Sequence, residues 1–158
     1  MTEADADPDA RLRRAIDLAY RYLARRDRTV AEVRRHLEVK ACEPAAIDGA
    51  VAELEEAGYL DDAGYAERFA EDRRELDGWG AERIARRLAA AGVDREHIAA
   101  AVAAQDAESE LGAAVALLRR RFPALESDRD RDRALGMLVR KGYELELAYD
   151  AVRALARS

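Results

Sequence analysis

The chain has 158 residues, 49% of them apolar and 38% charged, with a formal net charge of −6. This apolar content supplies a folded core and argues against wholesale disorder, and the acidic balance argues against a simple nucleic-acid coat protein. No apolar stretch approaches the ~20 residues needed to span a bilayer. The acidic start Met1-Thr2-Glu3-Ala4-Asp5-Ala6-Asp7 has neither a secretory core segment nor a basic transit pattern. A single cysteine, Cys42, forms no internal disulfide, so the expectation is a cytoplasmic protein in a reducing compartment, without membrane contact.

Residues 1–9 read as a disordered acidic tail. Ala, Leu, Arg and Glu dominate the rest of the chain, and all favour helix. The spacing of Leu12, Ile16, Ala19, Tyr20 and Leu23 predicts a first helix over 10–26. Thr29 with Glu32 is a capping box that opens a second helix, with Val30, Val33 and Leu37 facing its core. Pro44 sits where the first turn of a third helix tolerates its missing N–H, and Gly58 reads as the left-handed cap that ends it. Period-two β-branched runs are absent, so no strand is expected.

The pattern then repeats. Val33, Leu37, Cys42, Ile47 and Val51 correspond, 51 residues on, to Ile84, Leu88, Val93, Ile98 and Val102, and 50 residues further to Ala134, Leu138, Tyr143, Ala148 and Val152. All fifteen are apolar, and the turn between the paired helices keeps its length. A leading helix precedes each pair, over 12–23, 65–76 and 111–118, at a variable distance that implies a loop. The predicted fold is all-α, three tandem three-helix repeats over 10–60, 61–105 and 106–158 in an elongated helical-repeat protein.

No constellation carries a reaction. His36 and His97 are isolated, and Cys42 has no ligand-spaced neighbour. Asp128, Asp130 and Asp132 begin like a calcium loop, but Arg133 and Val139 stand where Gly and Glu are required, so they read as a charged helix entry. Asp61 and Asp62 follow a helix-ending glycine and read as caps. The expectation is a non-enzymatic protein without metal or cofactor.

Binding signals are stronger. The chain uses 25 Arg and 2 Lys, and the planar guanidinium suits bidentate contacts to phosphate or carboxylate. The charge is uneven: +6 over 11–40, −10 over 41–82 and +3 over 119–158. Arg14, Arg21, Arg25 and Arg28 share one face of the first helix, and Arg34 and Arg35 extend it. Arg83, Arg86 and Arg87 form a second patch, and Arg119, Arg120, Arg121, Arg140 and Lys141 a third. With the apolar stripe turned inward, Arg21, Arg25, Arg28, Arg34 and Arg35 are expected outward on a basic edge, opposite an acidic edge with Glu53, Glu56 and Asp72. Trp79, between Gly78 and Gly80, reads either as a packing plug between repeats or as an exposed contact residue.

These residues together resemble the RecX family of bacterial regulators of the RecA recombinase. Gly58-Tyr59-Leu60-Asp61-Asp62, then Tyr65-Ala66 and Phe69, is similar to the family's junction between its first and second units. Arg73 or Arg74, Gly78-Trp79-Gly80, Arg83-Ile84, Leu88 and Gly92-Val93 resemble its next block, and the resemblance spans about residues 11–156. Asp77 and Ala81 depart from the basic residue and the Pro or Ser common at these places. The resemblance implies a tandem three-helix-repeat fold and a monomer that binds in the groove of the RecA filament, contacting its single- or double-stranded DNA, and so restrains filament growth, strand exchange and repressor cleavage in the SOS response. Two readings stay open beside it, a direct DNA-binding helical protein and a general helical-repeat scaffold. Tyr59 and Leu60 are expected to pack between the first two repeats.

Overall fold

The structure is a computed structural model and describes residues 7–157. Nine α-helices and one π-helical turn make up the described residues, which contain no strand. In order they are α1 (Pro8–Leu23), α2 (Val30–Val39), α3 (Pro44–Glu56), α4 (Asp62–Asp72), the π turn (Arg73–Asp77), α5 (Ala81–Ala90), α6 (Arg95–Ala103), α7 (Ala107–Arg121), α8 (Asp128–Lys141) and α9 (Leu145–Arg157). The predicted tail falls on residues 1–6, outside the described residues, and on 7–9, where it is corrected. Asp7 caps α1 by accepting from the Ala10 N–H, and Pro8 begins the helix, because an N-cap carboxylate followed by proline is itself a helix start.

The local signals act as written in the sequence. Thr29 and Glu32 close a reciprocal capping box on α2. Pro44 stands at the start of α3, and Gly58 beyond its end takes φ +83°. Ser127 caps α8 by accepting from the Asp130 N–H, so the Asp128 run is a helix entry.

The helical repeat is written in the backbone as well as in the core. Of the fifteen repeated apolar positions, all but Ile98 and Val102 are buried. Just before the middle position of each set, the chain turns left-handed, at Ala41 (φ +63°), Gly92 (φ +84°) and Gly142 (φ +97°). These three residues keep the same 51- and 50-residue steps. Cys42 and Tyr143 then donate back to Leu37 and Leu138, each at 3.0 Å, the bond that closes a helix of this kind.

The described residues form two compact units. One holds the chain up to Tyr65 together with Ala89–His97, and the other holds Ala66–Leu88 and everything from Ile98 on. In the first, α1, α2 and α3 pack on one another around Val33, Leu37, Ile47, Val51, Leu54 and Leu60. In the second, α7 and α8 pack on α9 around Leu118, Phe122, Leu125, Leu138, Tyr143 and Val152.

Each unit contains one docking of a helix start on a left-handed turn. In the first, the Thr29 hydroxyl donates to the Ala91 carbonyl at 2.6 Å, and Gly92 lies so close to Ala31 that a Cβ on it would stand 2.3 Å from the Ala31 Cβ. In the second, the Gly80 N–H donates to the Lys141 carbonyl at 2.8 Å, and a Cβ on Gly142 would stand 2.2 Å from the Arg83 Cβ. Residues 29 and 80 are one repeat apart, as are 91 and 141, so corresponding places meet in both units, through a hydroxyl in the first and a backbone N–H in the second.

Candidate functional site

In the first unit, Arg21 and Arg25 at the end of α1 and Arg35 on α2 are exposed. Arg28 departs from the expected outward edge. It is half-buried, with its guanidinium 4.0 Å over the Tyr22 ring, and that ring stacks on His36 at 4.0 Å and 7°. A cation over an aromatic face is held by the ring quadrupole, which the sequence pattern does not reveal. Burial, and then the cations Lys40, Arg28 and Arg25, hold the His36 imidazole below its ordinary pKa. His36 is therefore embedded in the basic cluster rather than isolated.

Arg34 also departs, because it pairs with Asp48 at 2.8 Å. Arg14 donates to the Lys40 carbonyl at 2.8 Å and so closes the end of α2. Arg11 pairs with Glu43 at 2.8 Å. Part of the opposite charge in this unit thus cancels across helices instead of segregating into two edges. Glu53 and Glu56 remain exposed on α3.

The family-motif residues are mainly structural. Leu60 is buried in the first core. Tyr59 corrects its expectation: it is 59% exposed and meets Tyr20 edge-on at 5.2 Å. Asp61 caps α4 by accepting from the Gly64 N–H at 3.1 Å. Asp62 reaches further and accepts from the Val30 N–H at 3.0 Å, capping α2 from another helix. Burial raises the Asp62 pKa, opposed by that N–H and by His97 and reinforced by Asp94 and Asp61.

In the second unit, Trp79 is half-buried and packs edge-on to Phe69 at 6.1 Å, under the Arg83 guanidinium at 4.1 Å. It is a packing residue. Arg83 is tied twice, to this ring and by a 3.2 Å bond to the Arg140 carbonyl. Lys141 donates to the Asp77 carbonyl at 2.9 Å. Gly78 takes φ +67°, and its carbonyl accepts from the Tyr143 hydroxyl at 3.1 Å. Gly80 has no room for a side chain, since a Cβ there would lie 2.6 Å from the Gly142 backbone. Tyr65 at the end of the first unit is half-buried on α4.

Of the arginines expected at the surface of the second unit, Arg86, Arg87, Arg119, Arg120, Arg121 and Arg140 are exposed. Sequence reasoning missed Arg129 and Arg133. They lie on α8 at the four-residue step that stacks side chains on one face, and Arg121, Arg129, Arg133 and Arg140 line one concavity of about 390 Å³ around Phe122 and Gly136. Alternation with Asp128, Asp130 and Asp132 hid them, since it reads as mutual neutralisation.

Among the described residues, no group of three or more His, Cys, Asp and Glu is placed to hold a metal ion. Also among them, no helix is long and apolar enough to cross a membrane. What the arrangement offers is guanidinium chemistry at exposed surfaces of both units.

Comparison with known proteins gives these surfaces a context. Residues 15–54 match the first three-helix domain of RecX, and residues 61–102 match the second. The chain is 32% identical over 156 residues to the regulatory protein RecX of Amycolatopsis mediterranei, covering 97% of this chain and 89% of that one. The chain belongs to the RecX family. It is also 37% identical over 162 residues to the regulatory protein RecX of Mycolicibacterium vanbaalenii, covering 96% and 88%. The crystal structure of RecX from Lactobacillus salivarius superposes with a TM-score of 0.85 at 18% identity, covering 95% and 99% of the two chains, so the RecX fold is common to both. A regulatory role is the description that its curated RecX relatives carry.

Proposed function

We propose that this chain regulates the RecA recombinase by binding the RecA–DNA filament, without performing a reaction of its own. Family membership across both three-helix domains is the observation that carries this reading. The exposed arginines support it. Arg21, Arg25 and Arg35 in one unit and Arg86, Arg87, Arg119 and Arg120 in the other offer separate basic contacts, and several weak contacts to a repeating partner add up through effective concentration. Bound in this way, the chain opposes filament growth, strand exchange and filament-assisted repressor cleavage, as a monomer in the cytoplasm. DNA within the filament is reached through the same arginines.

The proposal includes a division into three repeats, over 10–60, 61–105 and 106–158. The left-handed residues at 41, 92 and 142 support it, because they end the middle helix of each proposed repeat at the 51- and 50-residue steps of the apolar pattern.

Co-sedimentation of the purified chain with RecA filaments on single-stranded DNA, with free RecA and with bare DNA tests the reading. Selective sedimentation with the filament is expected. Equal binding to bare DNA would favour a direct DNA binder, and no binding in any arm would overturn both.

A further inference from the structure

A concavity between the end of α7 and the face of α8 gathers guanidiniums. Its wall carries Arg121, Arg129, Arg133 and Arg140 against a single acid, Asp132. Among the described residues, none of the four arginines pairs with a carboxylate. The nearby acids are engaged elsewhere: Asp128 pairs with Arg131 at 2.8 Å, and Asp130 accepts from the Glu126 N–H at 3.2 Å. Arg121 and Arg133 each stand 5.7 Å from the centroid of the buried Phe122 ring, which gives both guanidiniums a common apolar floor.

Two features of α8 cost stability without a structural return. Arg129 lies in the first turn, where the positive end of the helix dipole disfavours a cation. Gly136 stands in the middle of the helix, where glycine is poorer than alanine. Its missing side chain leaves room for Arg140, whose Nη1 would stand 3.1 Å from a Cβ at position 136. Both features gain a purpose if the concavity receives an anion.

We propose that this concavity is a binding site for a compact, phosphate-rich anion of the oligophosphate class. Guanidinium forks bind phosphate oxygens bidentately. Four of them around about 390 Å³ call for several negative charges in a small volume. A di- or triphosphate brings that density, whereas a peptide carboxylate brings one charge per side chain. The volume lies within the ~300–1,000 Å³ common for small-molecule sites. With Phe122 buried, no aromatic face is open for a base to stack on, so the site reads phosphate and not nucleobase. The inference is independent of filament binding and is tested on the chain alone.

Titration calorimetry of the full chain with sodium triphosphate at fixed ionic strength measures it. Saturable binding is expected, weakened about tenfold or more in Arg129→Ala/Arg133→Ala, as charge-assisted bonds are lost. Arg13→Ala/Arg95→Ala removes the same charge from exposed positions elsewhere and should bind as the wild type does. Gly136→Ala crowds the Arg140 guanidinium, 3.1 Å from the added Cβ, and should weaken binding less than the double variant does while leaving the helix intact. ATP binding as tightly as triphosphate, with AMP much weaker, supports a phosphate tail as the recognised group. Four outcomes overturn the proposal: no saturation with triphosphate, equal loss in the Arg13/Arg95 control, equal or tighter binding of a hexaglutamate peptide, or binding only of oligonucleotides.

Discussion

The Thr29 hydroxyl donates to the carbonyl oxygen of Ala91 at 2.6 Å, across 62 residues of sequence. The same hydroxyl oxygen accepts from the Glu32 N–H at 3.1 Å, so one fully buried side chain both caps α2 and fastens it to the turn after α5. Replacing it with valine keeps the volume and removes both bonds. Thr29→Val is expected to cost about 1–3 kcal/mol, and Thr29→Ser far less, in urea unfolding. Equal stability of the two variants would show that the hydroxyl holds nothing.

Ala41 is the one non-glycine residue with positive φ among the described residues, in the place that Gly92 and Gly142 occupy in the other repeats. A left-handed alanine is strained, while glycine there loses more chain entropy on folding. Strain relief outweighs that loss, so Ala41→Gly should stabilise by about 0.5–1 kcal/mol net. Gly92→Ala should destabilise by about 2 kcal/mol or more, since the strain is joined by a clash with Ala31. Thermal unfolding of the two single variants checks both signs.

Asp62 contributes one part of the pH dependence. Burial raises its folded pKa, so the folded chain holds this proton more tightly than the unfolded chain. The stability it contributes is present below the ordinary carboxylate pKa and is lost as pH rises through the folded value. Asp62→Asn keeps an oxygen to accept from the Val30 N–H and removes the ionisation. Relative to wild type, the variant should gain stability as pH rises from 3 towards neutrality, then hold that gain. Urea midpoints across that range test it, and a relative loss of stability with rising pH would contradict the assignment.

The elements that repeat were legible in the sequence because burial imposes the same apolar positions on each copy. The capping box at Thr29 and Glu32, Pro44 and Gly58 were legible because each signal is local. Arg28 and Arg34 were not, since what decides their state is a ring and a carboxylate on other turns and helices. Ala41 was missed because a left-handed residue is sought at glycine, and only alignment with Gly92 exposes it. Arg129 and Arg133 were masked by the acids alternating with them. Nothing in Arg73–Asp77 announces a π turn: the segment has no glycine or proline, and its five residues read as ordinary helix.

The exposed and the tied arginines should behave differently. Arg34→Ala removes a partly exposed pair with Asp48 and should cost no more than ~1 kcal/mol. Arg28→Ala also removes packing over Tyr22 and should cost more. Arg21→Ala, Arg25→Ala and Arg35→Ala should leave the unfolding midpoint in place. Denaturation of the five single variants separates the two groups.

If exposed arginines bring this chain to the RecA filament, as proposed, its filament affinity depends on salt. Fluorescence anisotropy of labelled chain titrated with RecA filaments on single-stranded DNA should show affinity falling from about 50 to about 300 mM salt, as charge contacts are screened. The variant Arg21→Ala/Arg25→Ala/Arg35→Ala should bind more weakly at the lower salt and with a flatter dependence. Unchanged affinity and an unchanged slope in that variant would show that these arginines do not contact the filament.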